Sequence, residues 1–223
     1  MMKPAITSEA VVQTLEKLYA DAATKHHFPR TKKENSPIDH TDEKAFYKSM
    51  SHAYMAVNRE FGNLLYALAR ASRATTVVEF GTSFGISTIY LAAAVKDNGG
   101  GKVVSTEFIP EKAEQAKRNL AEAGLAEFVE IRVGDALETL KNNPVQSIDF
   151  VMLDGAKSLY FDVFKILEPA MKSGAIIASD NTDSPDLQNF LDYVRFPENG
   201  YITSPISTHG GPGGRGHEIT VKI

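Results

Sequence analysis

Residues 75–87 read Thr-Thr-Val-Val-Glu-Phe-Gly-Thr-Ser-Phe-Gly-Ile-Ser. A β-branched run, a turn bounded by Gly81 and Gly85, and the start of an apolar helical pattern follow one another with no linker. β-branched side chains suit a pleated surface. Glycine lets a turn close tightly and a backbone approach a ligand. The stretch therefore reads as strand, turn and helix, the opening of a βα unit. Toward the C-terminus the same texture recurs. Strands are expected at 76–80, 102–107, 128–133, 148–154 and 175–180, and helices near 86–95, 110–123, 136–141, 159–171 and 186–194. Near-continuous apolar strands alternating with helices imply a parallel sheet covered on both faces. The tail differs. Segments 201–207 and 217–223 flank Gly210, Gly211, Gly213, Gly214 and Gly216 and read as an antiparallel edge pair with a glycine-rich connection, 210–216. The expected fold class is α/β: a doubly wound, mostly parallel seven-stranded sheet of Rossmann-like form.

Toward the N-terminus the pattern is helical. Val11, Val12, Leu15, Leu18 and Tyr19 recur at helical spacing. A polar stretch, 25–40, is broken by Pro29 and Pro37 and reads as a loop or lid carrying His26, His27 and Arg30. Thr41 is the expected cap of a helix carrying Phe46, Met50, Tyr54 and Val57, and another helix carries Phe61, Leu64, Leu65 and Leu68. The expected organisation is one domain over 1–223, with a helical extension at 1–72 and an α/β core at 73–223. A formal charge of -4 argues against a nucleic-acid partner. The absence of cysteine excludes a disulfide framework, thiolate chemistry and a Cys-based zinc site. The N-terminal residues lack the apolar core of a signal peptide, and no run approaches the ~18 apolar residues of a membrane span. The expected setting is cytoplasmic, with no membrane partner.

Open α/β sheets bind ligands at the carboxyl ends of their strands. The first strand ends at Glu79-Phe80-Gly81, followed by Ser83 and Ser87; the second ends at Glu107; the third ends in Gly134-Asp135-Ala136. Glu107 can accept from two ribose hydroxyls and Asp135 from an adenine amino group, which describes a pocket for an adenosine-bearing cofactor. A dinucleotide fingerprint requires G-x-G-x-x-G. The spacing here is G-x-x-x-G with Glu79 beside the turn. A carboxylate there disfavours a pyrophosphate and suits a cofactor bearing an amine and a sulfonium, S-adenosylmethionine. The fourth strand ends in Asp154-Gly155-Ala156-Lys157 and the fifth in Asp180-Asn181. Adjacent parallel strands bring Asp154, Asp180 and Asn181 to one rim as three oxygen donors, a set that suits a hard divalent cation, Mg²⁺ first. The competing reading is that each aspartate caps the helix after it. That explains either acid alone but not the tandem Asp-Asn opposite Asp-x-x-Lys.

Over residues 55–181 the chain resembles the metal-dependent class I S-adenosylmethionine O-methyltransferases of the catechol and caffeoyl-coenzyme A type. The matching residues are Met55-Ala56-Val57, Gly62, Glu79-Phe80-Gly81 through Ser87, Glu107, Asp135, Asp154 with Lys157, and Asp180-Asn181. The resemblance implies the methyltransferase form of the Rossmann-like fold. It implies a cofactor site from Met55, Val57, Glu79, Gly81, Ser83, Ser87, Glu107, Asp135, Ala136 and Asp154, a metal held by Asp154, Asp180 and Asn181, and Lys157 as general base. The expected partner is a small catechol-like or phenolic hydroxyl acceptor, with a homodimer left open. The chain departs from the catechol pattern at Gly155 and Ala156, where that pattern has bulky residues. A late glutamate near the acceptor is also missing; Ser204, Ser207 and Thr208 occupy that region, and the chain has no tryptophan. A more open acceptor pocket is expected. The alternatives are the same fold acting on RNA or a small carboxylic acid, a non-catalytic S-adenosylmethionine-binding protein, and a nicotinamide oxidoreductase, which the glycine spacing disfavours.

Overall fold

The structure, a computed structural model, describes residues 3–25, 43–209 and 216–223. The expected lid, the Thr41 cap and most of the glycine-rich connection lie outside the described residues. Helices α1 (Glu9–Lys25), α2 (Glu43–Ser49) and α3 (Arg59–Ala71) precede the sheet. Then follow β1 (Thr76–Phe80), α4 (Ile86–Asp97), β2 (Lys102–Glu107), α5 (Pro110–Glu122), β3 (Val129–Val133) and α6 (Ala136–Asn142). β4 (Ile148–Leu153), α7 (Tyr160–Leu167), β5 (Met171–Asp180), α8 (Gln188–Val194), β6 (Tyr201–Ser207) and β7 (Gly216–Lys222) complete the chain. The sheet has 7 strands in the order β3-β2-β1-β4-β5-β7-β6. β1 to β5 are parallel, and β7 runs antiparallel between β5 and β6. The doubly wound sheet and the antiparallel C-terminal pair are as expected, with the last strand of the chain on the inside of that pair. Among the described residues no helix is long and apolar enough to cross a membrane.

Strand order reverses between β1 and β4, the place where open α/β sheets form their ligand crevice. Register brings the chemistry there. Phe80 is level with Thr106 and Leu153, and Leu153 with Ser179. Gly81, Glu107, Asp154 and Asp180 therefore all emerge at one rim. One apolar layer packs α1, α3 and α4 on one face, and a second packs α6, α7 and α8 on the other. Residues 86–95 of α4 are all buried, as a helix that is apolar all round must be. α3 lies so close to it that a Cβ at Gly62 would meet the Tyr90 ring at 2.4 Å.

Three expected elements are corrected. Tyr54 and Val57 do not continue the α2 helix. α2 ends at Ser49, and both residues are buried on an irregular segment that leads into α3. Asn58 restarts the helix there, because its side chain accepts from Phe61 N at 2.8 Å. The helix expected over 159–171 stops at Leu167, because Pro169 has no N–H to donate. Met171 then opens β5, earlier than the expected 175. Pairing jumps from Ile148↔Met171 to Phe150↔Ile176, so the bulge absorbs the extra residues, with Gly174 at φ +81° inside it. Val12, which recurs at helical spacing with Val11 and Leu15, is 44% exposed where those two are buried.

Candidate functional site

The turn after β1 is held by backbone. Gly81 sits at φ +102°, and a Cβ there would stand 2.5 Å from the carbonyl oxygen of Asp154. The turn and the end of β4 thus touch main chain to main chain, which only glycine allows. Ser83 takes the left-handed region, φ +49°, a cost that persists only where surroundings compel it. Its N–H donates to Glu107 Oε2 at 2.7 Å, and Ile109 N donates to Oε1 at 2.8 Å. Burial pushes the Glu107 carboxyl up, while those N–H groups and the nearby Lys112 ammonium pull it down. Lys112 is itself 1% exposed, its charge 5.4 Å over the Phe84 ring. Burial pushes that ammonium down, and Glu107 opposes the shift.

Met55, Val57, Gly81, Ser83, Ser87 and Asp154 line one cleft, together with Tyr54, Ala56, Thr82, Phe84 and Ile86. The Tyr54 and Phe84 rings stack at 4.2 Å and wall it on one side. Glu79, expected at the cofactor, does not line this cleft. Its Oε2 accepts from Thr88 Oγ1 of α4 at 2.5 Å and from Ser105 Oγ of β2 at 2.6 Å. The carboxylate ties β1 to both neighbours, and burial pushes its carboxyl up. Its Oε1 is buried with no aligned hydrogen bond, and the Ser87 hydroxyl of the cleft lies near enough to the carboxylate to pull its carboxyl down. Such an acceptor fits a ligand carrying a donor amine. Asp135 stands further along the rim, at the end of β3. It caps α6 by accepting from Leu137 N at 3.0 Å and takes the Lys44 ammonium of α2 at 2.8 Å. That hydrogen bond from Lys44 holds its carboxyl below the usual carboxylate range against the opposing effect of burial. Ala136 is buried behind it.

The other half of the rim is acidic. Asp154 is largely buried, its side chain 12% exposed, and Lys157 Nζ lies 3.2 Å from its Oδ1. Burial pushes the Asp154 carboxyl well above the usual range; Lys157 opposes the shift and the charge of Asp180 adds to it. Lys157 Nζ also donates to Tyr160 Oη at 2.7 Å. Tyr160 is fully buried, and its hydroxyl hydrogen faces the carbonyls of Leu153 at 2.9 Å and Asp180 at 3.1 Å. Asp180 ends β5 with Oδ1 2.6 Å from His217 Nδ1 of β7. Asn181 follows in the left-handed region, φ 54°. Neither aspartate caps the helix after it. Ala156 precedes the first turn beyond β4, and Ser184 caps the first turn beyond β5.

Among the described residues no three His, Cys, Asp or Glu side chains form a ready metal cluster. The donors at this rim are the carboxylates of Asp154 and Asp180 and the amide of Asn181. That set fits a hard divalent ion: the charge of Asp180 adds to the rise of the Asp154 carboxyl, and a cation between the two acids would relieve the repulsion. Sequence reading missed Lys44, Lys112, Tyr160 and His217. Tyr160 was within reach, since it follows Lys157 by three residues at helical spacing. His217 and Lys44 come from distant elements and left no local signal.

The model of the O-methyltransferase family matches residues 31–184. The chain is 38% identical over 127 residues to a protein named catechol O-methyltransferase from Mycobacterium tuberculosis (strain ATCC 25618 / H37Rv), a stretch covering 57% of each chain. This chain thus spans a little over half the length of the curated relatives it matches, 57% and 58% for the first two. The O-methyltransferase TomG from Streptomyces achromogenes, solved in complex with SAM, superposes with a TM-score of 0.68 at 28% identity, over 81% of this chain and 90% of that one. An O-methyltransferase from Bacillus cereus, solved in complex with SAH, shares the fold with a TM-score of 0.73 at 24% identity, over 95% of this chain and 91% of that one.

Proposed function

The chain belongs to the O-methyltransferase family, and from that premise we propose that it transfers a methyl group from S-adenosylmethionine to a hydroxyl oxygen of a small catechol-like or phenolic acceptor, assisted by a divalent cation of the Mg²⁺ class. One observation carries the reading: Asp154 belongs to two places at once. It lines the cleft formed by the glycine turn, and its carboxylate lies 3.2 Å from Lys157 Nζ, beside Asp180. A methyl donor in the cleft and an acceptor at the acidic rim would meet at that residue.

S-adenosylmethionine, when bound, supplies an electrophilic methyl group on a sulfonium. Asp154, Asp180 and Asn181 would hold the cation, whose chemistry there would be to make an acceptor hydroxyl more acidic and to fix its orientation. The remaining work falls to the chain itself. Met55, Val57 and the Tyr54–Phe84 stack keep water from the cleft, where charges are annihilated as oxygen and sulfonium react. Glu107 keeps free lone pairs on both oxygens beyond its two backbone donors and serves the ribose. Lys157, with its amine neutral, would take the acceptor's hydroxyl proton on Nζ as the methyl group passes from sulfur to that oxygen. Tyr160 holds that amine in place, and its own hydroxyl is fixed by two main-chain carbonyls.

The test is a methylation panel of catechols, caffeoyl esters and flavonoids, run with Mg²⁺ and with excess EDTA. Methyl transfer to a vicinal hydroxyl that EDTA abolishes and Mg²⁺ restores is the expected result. Full activity in EDTA would remove the cation from the mechanism. Methylation of RNA or of a carboxylic acid alone would move the acceptor class.

A further inference from the structure

The acidic rim has a support that faces away from the cleft. Antiparallel register sets His217 of β7 directly across from Asp180 of β5. The imidazole is 3% exposed and stacked on the Phe61 ring at 3.8 Å and 10°. Its Nε2 lies 2.9 Å from Thr208 Oγ1, and Asn58 Nδ2 lies 2.6 Å from the same hydroxyl.

Hydrogen-bond direction along this chain follows from its far end. Asn58 Oδ1 accepts from Phe61 N at the start of α3, so the amide's other edge, its NH₂, faces Thr208. Thr208 Oγ1 accepts there and keeps one hydrogen, for which His217 Nε2 at 2.9 Å is an acceptor within reach. An Nε2 that accepts leaves the ring proton on Nδ1. Nδ1 is the atom 2.6 Å from Asp180 Oδ1. That oxygen lies off the donor line of the ring, so Nδ1 has no aligned hydrogen bond. The stack and Thr208 hold the imidazole; the carboxylate, with its broad χ2, is the partner free to turn.

We infer that His217 is a positioning residue for the cation site: its Nδ1–H side occupies Oδ1 of Asp180, so that the carboxylate presents Oδ2 alone to the ion. The inference rests on the metal reading of the proposed function. It assigns a role to the C-terminal strand and, through Thr208 and Asn58, ties the cation site to the start of α3. Partners that orient a metal-binding side chain in this way are typically worth about 10–100-fold in metal affinity.

The experiment measures Mn²⁺ binding by the electron paramagnetic resonance signal of the free ion, on the full chain without substrate. Thermal melting of the metal-free protein is recorded beside it. His217→Phe keeps the ring on Phe61 and removes the donor; its Mn²⁺ dissociation constant should rise about 10–100-fold. His217→Asn loses the stack but returns an N–H close to the Nδ1 position, and should recover most of that loss. Thr208→Val, which frees Nε2 to hold the proton, should lose less than His217→Phe and serves if the Phe variant does not fold. Wild-type affinity in both His217→Phe and Thr208→Val would overturn the inference while leaving the metal reading standing. Equal losses in the Phe and Asn variants would make His217 a packing residue and overturn it too. A wild type that binds no Mn²⁺, with Asp180→Ala unchanged from it, would remove the metal reading and the inference together.

Discussion

The two halves of the rim are built differently. Around β1 and β2 the turn, Glu107 and the cap of α6 rest on main chain, while Glu79 and the second partner of Asp135 draw on side chains of other elements. Gly81 and Ser83 lie in one turn, Glu107 takes its N–H donors from that turn and from Ile109, and Asp135 caps its own helix. Around β4 and β5 the groups depend on other side chains, from three residues away at Lys157 to the last strand at Asp180. Lys157 is fixed by a tyrosine pinned to two strand ends, and Asp180 faces a histidine from the last strand. Backbone donors come with the turn and cost little extra order. Side chains that must be oriented depend on partners that only packing supplies.

The largest expected effect lies in the assembled half. Lys157→Met keeps the length and bulk of the side chain but cannot take a proton. Its single-turnover rate should fall by roughly 10²–10⁴-fold, the range for a lost general base, with little change in the thermal shift induced by S-adenosylmethionine. A near-normal single-turnover rate would return Lys157 to a structural role. Gly81→Ala tests where the two halves touch. The left-handed φ alone costs ~1–3 kcal/mol, and the new Cβ would collide with the Asp154 carbonyl. Chemical denaturation should show at least that loss, and both cofactor stabilisation and turnover should suffer. If only cofactor stabilisation falls, the halves are less coupled than their contact implies.

Tyr160→Phe should be milder. It leaves Lys157 and two buried carbonyls without their partner, a cost of about 1–3 kcal/mol. The sharper readout is turnover, which should drop while cofactor binding holds. Unchanged turnover would mean that Asp154 alone positions the lysine. Lys44→Ala should do least. Its ion pair with Asp135 is largely solvent-facing, the lysine side chain 65% exposed, and such pairs contribute about 0–1 kcal/mol. A large loss of cofactor affinity in this variant would make α2 part of the binding site and undo the contrast between the halves.

How legible each half was follows from the same physics. Residues 75–87 announced strand, turn and helix because each step has a local cause: β-branching, a glycine conformation, an apolar helical face. The ends of β1, β2 and β3 could therefore be read with their acids in place, and both aspartates of the other rim fell at strand ends as expected. Glu79 was read in position, but its hydroxyl partners on α4 and β2 were not, because they come from other elements. The break at Pro169 was underestimated, since a helical apolar pattern ran on past a residue that cannot donate. Tyr54 and Val57 kept helical spacing while serving the cleft on an irregular segment.

By itself the sequence determined the α/β order, the strand ends and the kinds of group that gather there, since periodicity and turn chemistry act over a few residues. Only the tertiary structure decided which groups meet. The sheet order 3-2-1-4-5-7-6 brings the glycine turn against Asp154, and the antiparallel return of the last strand sets His217 against Asp180. Both contacts join residues whose separation along the chain carries no pattern, so nothing short of the packed sheet could specify them.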